Sequence, residues 1–358
     1  MDELIKLISD LIRFKTTADN PVEIRKCADY IIKYLEDKEM IIKKHVKNEK
    51  VSIVVTFKDT KKPDIFLNAH FDVVPASTHL FEPKIENDNL YGRGSSDCKG
   101  QVAALMNLMK HFSKYEKKPN IGLMLTSDEE VHSSNGVEYL LSELGYSANL
   151  AIVCDAGDDF NIVTKHKGVL QVKISAVGKA VHSSHYWGGI NAIEKLIEAY
   201  DKIKKLFPKL TKAEWKTTST LTKIAGGDVL NKVPDYAELY LDIRYTEKDS
   251  EEEIMKKLGN VESVQIEKVA SALMLETDDN DVYVNKLKIS AEKILKRKIK
   301  ISYEHGATDA RFFSEKKIPA FMFKPLGGGA HSDEEYLVIS SLEPFHKIMV
   351  DFIENASK

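Results

Sequence analysis

Short, almost wholly apolar runs alternate with helical stretches along the first half of this chain, and that alternation leaves few folds open. DIFLNA (64–69), IGLMLT (121–126) and NLAIVC (149–154) lack the polar alternation of half-exposed strands. Strands apolar on both faces belong to a largely parallel sheet covered by helices on either side. VSIVVTF (51–57) reads as a further strand, and the stretch 101–115 carries a helical repeat. ELIKLISDLIRF opens the chain as an amphipathic helix. A second helix is expected to start at Asn20 and Pro21, with asparagine as cap and proline in the first turn.

Ligands on open α/β sheets bind beyond the carboxyl ends of the strands. His70 follows the first of the three runs, Glu129 and Glu130 the second, and Asp155 the third. His331 follows IPAFMF (318–323) after a glycine-rich loop. Four segments therefore carry carboxylates or imidazoles to one sheet edge. Mixed donors of this kind suit a pair of zinc-like ions, and an acidic pair offers one carboxylate to metal and another to proton transfer.

Each signal has a plainer alternative. His70 and Asp72 form a His-x-Asp pair that is more often structural, although at a strand end Asp72 would orient His70 as a ligand. Asp97 in YGRGSSDCKG precedes a helix and suits either an N-cap or a carboxylate shared by two cations. The acidic triplet at 128–130 also reads as a solvated helix start, but it directly follows a buried strand. Glu130 would then bind metal, and Glu129 would be the general base. Read alone, His182 in GKAVHSSHYWGG is an ordinary histidine. Asn231 and Arg244 suit carboxylate recognition or a surface ion pair. The glycines at 327–329, with Gly328 at their centre, offer backbone N–H groups to an anion or form a simple turn.

Between about 167 and 269 the pattern changes to strand, helix, strand, strand, helix, strand, the order of a split ferredoxin-like unit. The expected fold is α/β: a mostly parallel sheet flanked by helices, formed by 1–166 and 270–358, with 167–269 inserted as a lid and dimerisation domain. A chain of 358 residues is long for one core. Its net charge of −3 gives no reason to expect a nucleic-acid partner, and no apolar run is long enough to suggest a membrane span. Cys27, Cys98 and Cys154 are odd in number and widely spaced, and the acidic start MDELIKLISD is unlike a signal peptide. A cytoplasmic protein with reduced thiols is expected.

NAHFDVVP, YGRGSSDCKG, SDEE, GKAVHSS, NKVP…DIR, GATDARFF and GGGAHSDEEY occur in the order found in the dinuclear zinc peptidase and deacylase family. That family includes aminoacylase, carboxypeptidase G, acetylornithine deacetylase, succinyl-diaminopimelate desuccinylase and several dipeptidases. The chain resembles it over nearly its whole length. The resemblance implies that His70 and Asp155 hold one metal, Glu130 and His331 the other, and that Asp97 bridges them. It implies Glu129 as base, Asp72 as the residue orienting His70, and His182 as oxyanion stabiliser supplied by the partner of a lid-mediated homodimer. It also implies substrate contacts from Asn231, Arg244, Gly306, Ala307, Thr308 and Asp309. Two divalent ions per chain are expected, zinc first, with cobalt or manganese as alternatives.

The substrate cues diverge. Deacylases and carboxypeptidases of the family usually carry glutamate where this chain has Asp155, whereas its dipeptidases and aminopeptidases usually carry aspartate. GATDARFF resembles the acetylornithine deacetylase branch. A peptidase acting on dipeptides or short peptides is therefore expected first, and an N-acyl-amino-acid deacylase second. A catalytically inactive binding protein on the same fold is disfavoured, because the base and every ligand position are kept.

Overall fold

The computed structural model describes residues 1–356 and divides into two compact units. The first comprises residues 1–165, 276–304 and the chain from Thr308 onward, and the second residues 166–275 and 305–307.

A nine-stranded mixed sheet organises the first unit. Its order is Ile41–Lys47, Lys50–Thr56, Ile121–Thr126, Ile65–His70, Leu150–Val153, Ala320–Met322, Ile162–His166 and Leu275–Glu276, with Ile301–Glu304 also paired to Ile162–His166. The centre is parallel. Ile65–His70 runs parallel to Ile121–Thr126 on one side and to Leu150–Val153 on the other, and Ala320–Met322 continues the parallel set. Every residue of these four strands is buried, as their apolar sequences require. Antiparallel strands close the set: Lys50–Thr56 pairs with Ile121–Thr126, and Ile162–His166 with Ala320–Met322.

Helices Asp2–Arg13, Pro21–Leu35, Lys99–Ser113, Val282–Leu295 and Leu342–Ala356 contribute to one apolar core with Leu67, Leu123, Leu125 and Ile152 of the sheet. Phe66, Met124 and Val153 are equally buried, as period-two alternation on a doubly covered sheet demands. Helix Pro21–Leu35 starts as its sequence predicts: the Asn20 side chain accepts from the Glu23 N–H, and Pro21 takes the first position. Helix Lys99–Ser113 begins two residues before the apolar repeat does, and most of its length is buried.

The second unit is a four-stranded antiparallel sheet in the order Thr218–Gly226, Tyr236–Tyr245, Gly168–Val177, Gln265–Ala272. Helices Ala192–Ile203 and Glu251–Gly259 complete the β-α-β-β-α-β order. Both helices are capped by their own sequence, Asn191 accepting from Ile193 and Glu194, and Ser250 forming a reciprocal capping box with Glu253. Leu170, Val172, Ile174, Leu239, Leu241 and Ile243 pack with Leu196, Ile254 and Leu258 in a core of its own.

A third, small sheet has no counterpart among the expectations above. It orders Gly327–Gly328, Tyr336–Val338, Asn89–Tyr91 and Lys84–Glu86, all antiparallel. Strands of two or three residues carry too little periodicity to be read from sequence. This sheet ties the glycine-rich loop before His331 to the segment that precedes Asp97. Among the described residues no helix is long and apolar enough to cross a membrane.

Candidate metal centre

The parallel register aligns the strand ends. His70 lies opposite Thr126, and Asn68 opposite Val153, so the chain leaves three neighbouring strands at one edge. His70 ends its strand; the turn after Thr126 carries Glu129 and Glu130; Asp155 lies two residues past Val153. The fourth parallel strand, Ala320–Met322, leads into the loop of His331.

These residues meet. His70 Nε2 lies 2.9 Å from Asp97 Oδ1 and 3.5 Å from Asp155 Oδ1. The other oxygen of Asp97, Oδ2, lies 3.3 Å from His331 Nε2, which is 3.1 Å from Glu130 Oε2. Ligand atoms of His70, Asp97 and Glu130 all fall within 4.8 Å of one another, as do those of His70, Cys98 and Asp155. Helix Lys99–Ser113 takes its N-cap position at Cys98, with no side-chain cap bond. Asp97 therefore does not cap, and both of its oxygens are directed at imidazoles.

On its other side, His70 Nδ1 is 3.1 Å from the Asp72 carbonyl oxygen and 3.4 Å from Asp72 Oδ1. The backbone of Asp72 is thus the nearer partner of the ring. The Asp72 carboxylate, fully buried, accepts from the N–H groups of Glu129 (3.2 Å) and Glu130 (3.1 Å). One aspartate links the His70 strand to the acidic turn.

Burial sets the electrostatics. It opposes ionisation of Asp97, yet the His331 and His70 imidazoles hold that carboxyl below the usual range. Burial pushes Glu130 up to about 7. It pushes Glu129 well up, with the Asp155 charge adding to it. His331 is raised to about 9 by its contact with Asp97, against the effect of burial. Burial opposes protonation of His70 too, but Cys98 and the Asp155, Asp72 and Asp97 carboxyls together raise it. Among the described residues, the ion pairs of Asp97, Glu130 and Asp155 run only to these two histidines. Three partly or wholly buried carboxylates with no lysine or arginine in ion-pair contact, Lys324 acting on Asp97 only from a distance, are costly unless a cation compensates them. Carboxylate oxygens and imidazole nitrogens are donors that zinc, cobalt and manganese accept, so the residues fit a pair of divalent ions. The cluster is closed at His70, whose side chain is 1% exposed, and open at His331, 55% exposed.

The remaining candidates divide between the two units. Within the second unit His182 is exposed, its Nδ1 2.7 Å from Ser184 Oγ. Asn231 is its neighbour there: the Ser183 N–H donates to the Asn231 carbonyl, and His182 bridges to Lys232. Arg244 is not brought to that spot. It sits opposite Val169 at the other end of its strand, with Nε and Nη2 donating to the Asp242 carboxylate at 2.6 and 3.3 Å. Gly306 and Ala307 belong to the second unit. Thr308 and Asp309 belong to the first and are buried, the Thr308 hydroxyl 3.1 Å from the Met322 sulfur and Asp309 Oδ2 3.5 Å from Thr126 Oγ1. Burial pushes Asp309 up to about 6. Gly328 lies in the small sheet, where a Cβ would meet the Tyr336 hydroxyl at 3.1 Å.

Sequence reasoning missed three charged side chains around the cluster. Glu335 and Arg93 form an ion pair at 2.6 Å, both almost wholly buried. Lys324 donates to the carbonyl oxygens of Ser96 (3.4 Å) and Asp155 (3.1 Å). The one available signal was an arginine in YGRGSSD opposite a glutamate in HSDEE, two loops already marked for chemistry.

Known proteins resemble this chain over nearly its whole length. Residues 66–355 match the Peptidase family M20/M25/M40. An uncharacterised metallohydrolase of Methanocaldococcus jannaschii is 27% identical, the match covering 95% of this chain and 94% of that protein. The succinyl-diaminopimelate desuccinylase of Rickettsia typhi is 25% identical over 97% of this chain and 98% of its own. Among solved structures, the aminopeptidase PepT of Bacillus cereus superposes with a TM-score of 0.84 at 18% identity, covering 100% of this chain and 99% of that one. An M20 family metallo-carboxypeptidase from Sulfolobus solfataricus gives 0.78 at 21% identity, with both chains fully covered. The likeness to these structures is one of fold.

Proposed function

The chain belongs to peptidase family M20/M25/M40 and is a metal-dependent amide hydrolase, and from that premise we propose that it cleaves dipeptides or short peptides with Glu129 as general base. His70 and Asp155 would hold one divalent cation, Glu130 and His331 a second, and Asp97 would serve both. The reading rests on Asp97, whose two oxygens face two different imidazoles. When bound, the cations supply Lewis-acid polarisation of the amide carbonyl and lower the pKa of water to near neutrality.

Glu129 takes a proton from the attacking water and passes it to the leaving nitrogen. Burial and the nearby Asp155 charge raise its affinity for that proton. Asp72 holds the Glu129 and Glu130 amides, so base and ligand keep their separation as the proton moves. His182, from a partner chain, would stabilise the oxyanion. Asn231, Arg244, Gly306, Ala307, Thr308, Asp309 and Gly328 are proposed to contact or shape the substrate site. For Arg244 that contact would require exchange of its fork from Asp242, and for the buried Thr308 and Asp309 it would act through their neighbours. A homodimer through residues 167–269 is supported by the exposed Tyr186, Trp187 and Leu230 around His182 and Asn231. Three buried free thiols suit a cytoplasmic setting.

A second reading has its own support. Curated relatives include succinyl-diaminopimelate desuccinylases, and GATDARFF points the same way, so N-acyl-amino-acid deacylation is the alternative. A panel of dipeptides and tripeptides against N-succinyl and N-acetyl amino acids, each with zinc, cobalt or manganese, separates the two. Faster turnover of acyl-amino acids than of any peptide would replace the first reading by the second.

A further inference from the structure

We propose that Glu335 is a positioning residue: by clamping the turn that carries Asp97 to the segment that carries His331, it sets the affinity of the His331-side cation site. The inference rests on the metal-dependent reading above.

Glu335 follows His331 by four residues and is 1% exposed. Its Oε1 accepts from the N–H groups of Ser96 and Asp97, both at 2.9 Å. Its Oε2 accepts from Arg93 Nη1 at 2.6 Å and from the Gly94 N–H at 3.0 Å. One carboxylate thus satisfies three amides of a single buried turn together with a guanidinium. Bonds to an ionised acceptor are stronger than bonds between neutral groups, and buried amides left without a partner are penalised in turn. Main-chain contacts reinforce the clamp, the Gly92 N–H donating to the Glu335 carbonyl and Tyr336 pairing with Tyr91. At the other end of the segment, the Ser332 N–H and hydroxyl both bond the Gly329 carbonyl and close a tight turn around His331.

Asp97 and His331 are therefore mounted on one short bracket, with Glu335 as its fastening. The other ligands are mounted differently. His70 and Asp155 stand at the ends of neighbouring parallel strands, and Lys324 stitches the Ser96 carbonyl to that of Asp155. Asp97 can thus keep its place beside His70 and Asp155 when the bracket loosens, whereas its 3.3 Å approach to His331 depends on the bracket. Loss of Glu335 should act unequally on the two cations.

The test compares wild type with E335Q, each stripped by chelator and titrated with Zn2+ by calorimetry and with Co2+ by visible absorption. Melting of the stripped proteins serves as the fold control. Wild type is expected to take two ions. E335Q should bind one of them about 10–100-fold more weakly, as loss of an outer partner typically does, and the other nearly as before. H331A should weaken the same ion, and the double variant H331A/E335Q should lose little more. A stripped E335Q that melts like wild type and binds both ions unchanged, or weakens both equally, overturns the positioning role. Should E335Q fail to fold, E335D decides, because it keeps the charge but withdraws the carboxylate from the Gly94, Ser96 and Asp97 amides. One-ion weakening of several-fold in E335D supports the role, and unchanged affinities overturn it. Wild type that takes up no ion removes the functional reading itself and this inference with it. Wild type with two ions and an unaffected E335Q removes only the inference.

Discussion

At the scale of single residues, Glu129 and Glu130 show how adjacent, identical side chains divide in environment. Glu130 approaches His331 to 3.1 Å, whereas Glu129 has Asp155 as its leading charged neighbour and is pushed up by burial first. E129Q is accordingly expected to bind cations within a few-fold of wild type while kcat falls by about 10²–10⁴. Calorimetric titration beside steady-state kinetics checks this, and near-normal kcat would remove Glu129 as base. His70, Glu129, Glu130, Asp155 and His331 were readable as candidates because each ends or follows a segment whose pattern already declares its structure. Asp97 was readable only as an alternative, since cap and bridge look alike until the helix start is fixed at Cys98. Arg93 and Glu335 were not readable as a pair: they lie 242 residues apart, and neither loop has a period.

Elements carry a second set of consequences. Helix Lys99–Ser113 starts so close to the Asp97 turn that a Cβ at Gly100 would lie 2.2 Å from the Ser95 carbonyl oxygen. G100A must displace that turn, and a cost of at least about 2 kcal/mol is expected in urea unfolding. The same helix brings His111 against His346 of Leu342–Ala356, their ring centroids 5.0 Å apart. Burial presses His346 down to about 4, with the His111 charge adding to it, while burial and then Lys114 lower His111 and Glu354 opposes them. The unfolded chain, with an ordinary histidine near 6.5, therefore binds the proton first. Stability from this site is full above about pH 6.5 and is lost as pH falls toward 4, by about 1–2 kcal/mol after allowance for partial exposure. H346Q should flatten that decline when metal-free proteins are unfolded in urea at pH 7 and 4.5. An identical decline in both proteins would show that other groups dominate. Central strands and long helices were legible because burial on two faces or one stripe leaves a period. The three-stranded meeting of Asn89–Tyr91, Tyr336–Val338 and Gly327–Gly328 leaves none, and so the bracket went unseen.

For the molecule as a whole, cations that bind only the folded chain should stabilise it by about 4 kcal/mol at a thousandfold excess over Kd. Chelation is expected to lower Tm by on the order of 10 °C, and calorimetric scans with and without chelator read the difference directly. An unchanged Tm would mean that the carboxylates are compensated in some other way. If His182 serves a partner chain, a mixture of H182A and E129A proteins, co-refolded into proven heterodimers, should regain part of the wild-type activity. Heterodimers without recovery would assign the oxyanion role to a group within one chain.

The order of the central sheet has a consequence for synthesis. Ala320–Met322 lies between Leu150–Val153 and Ile162–His166, although it is made more than 150 residues after them. A growing chain that has not yet delivered this strand keeps an open edge at Leu150–Val153, and such edges recruit other strands. His331 follows that strand, so the last of the proposed ligands leaves the ribosome only after the piece that closes the sheet. The hydrolytic centre is consequently assembled late, and a product terminated before this strand has neither a finished sheet nor, if His331 is a ligand, a finished metal site with which to cleave its neighbours.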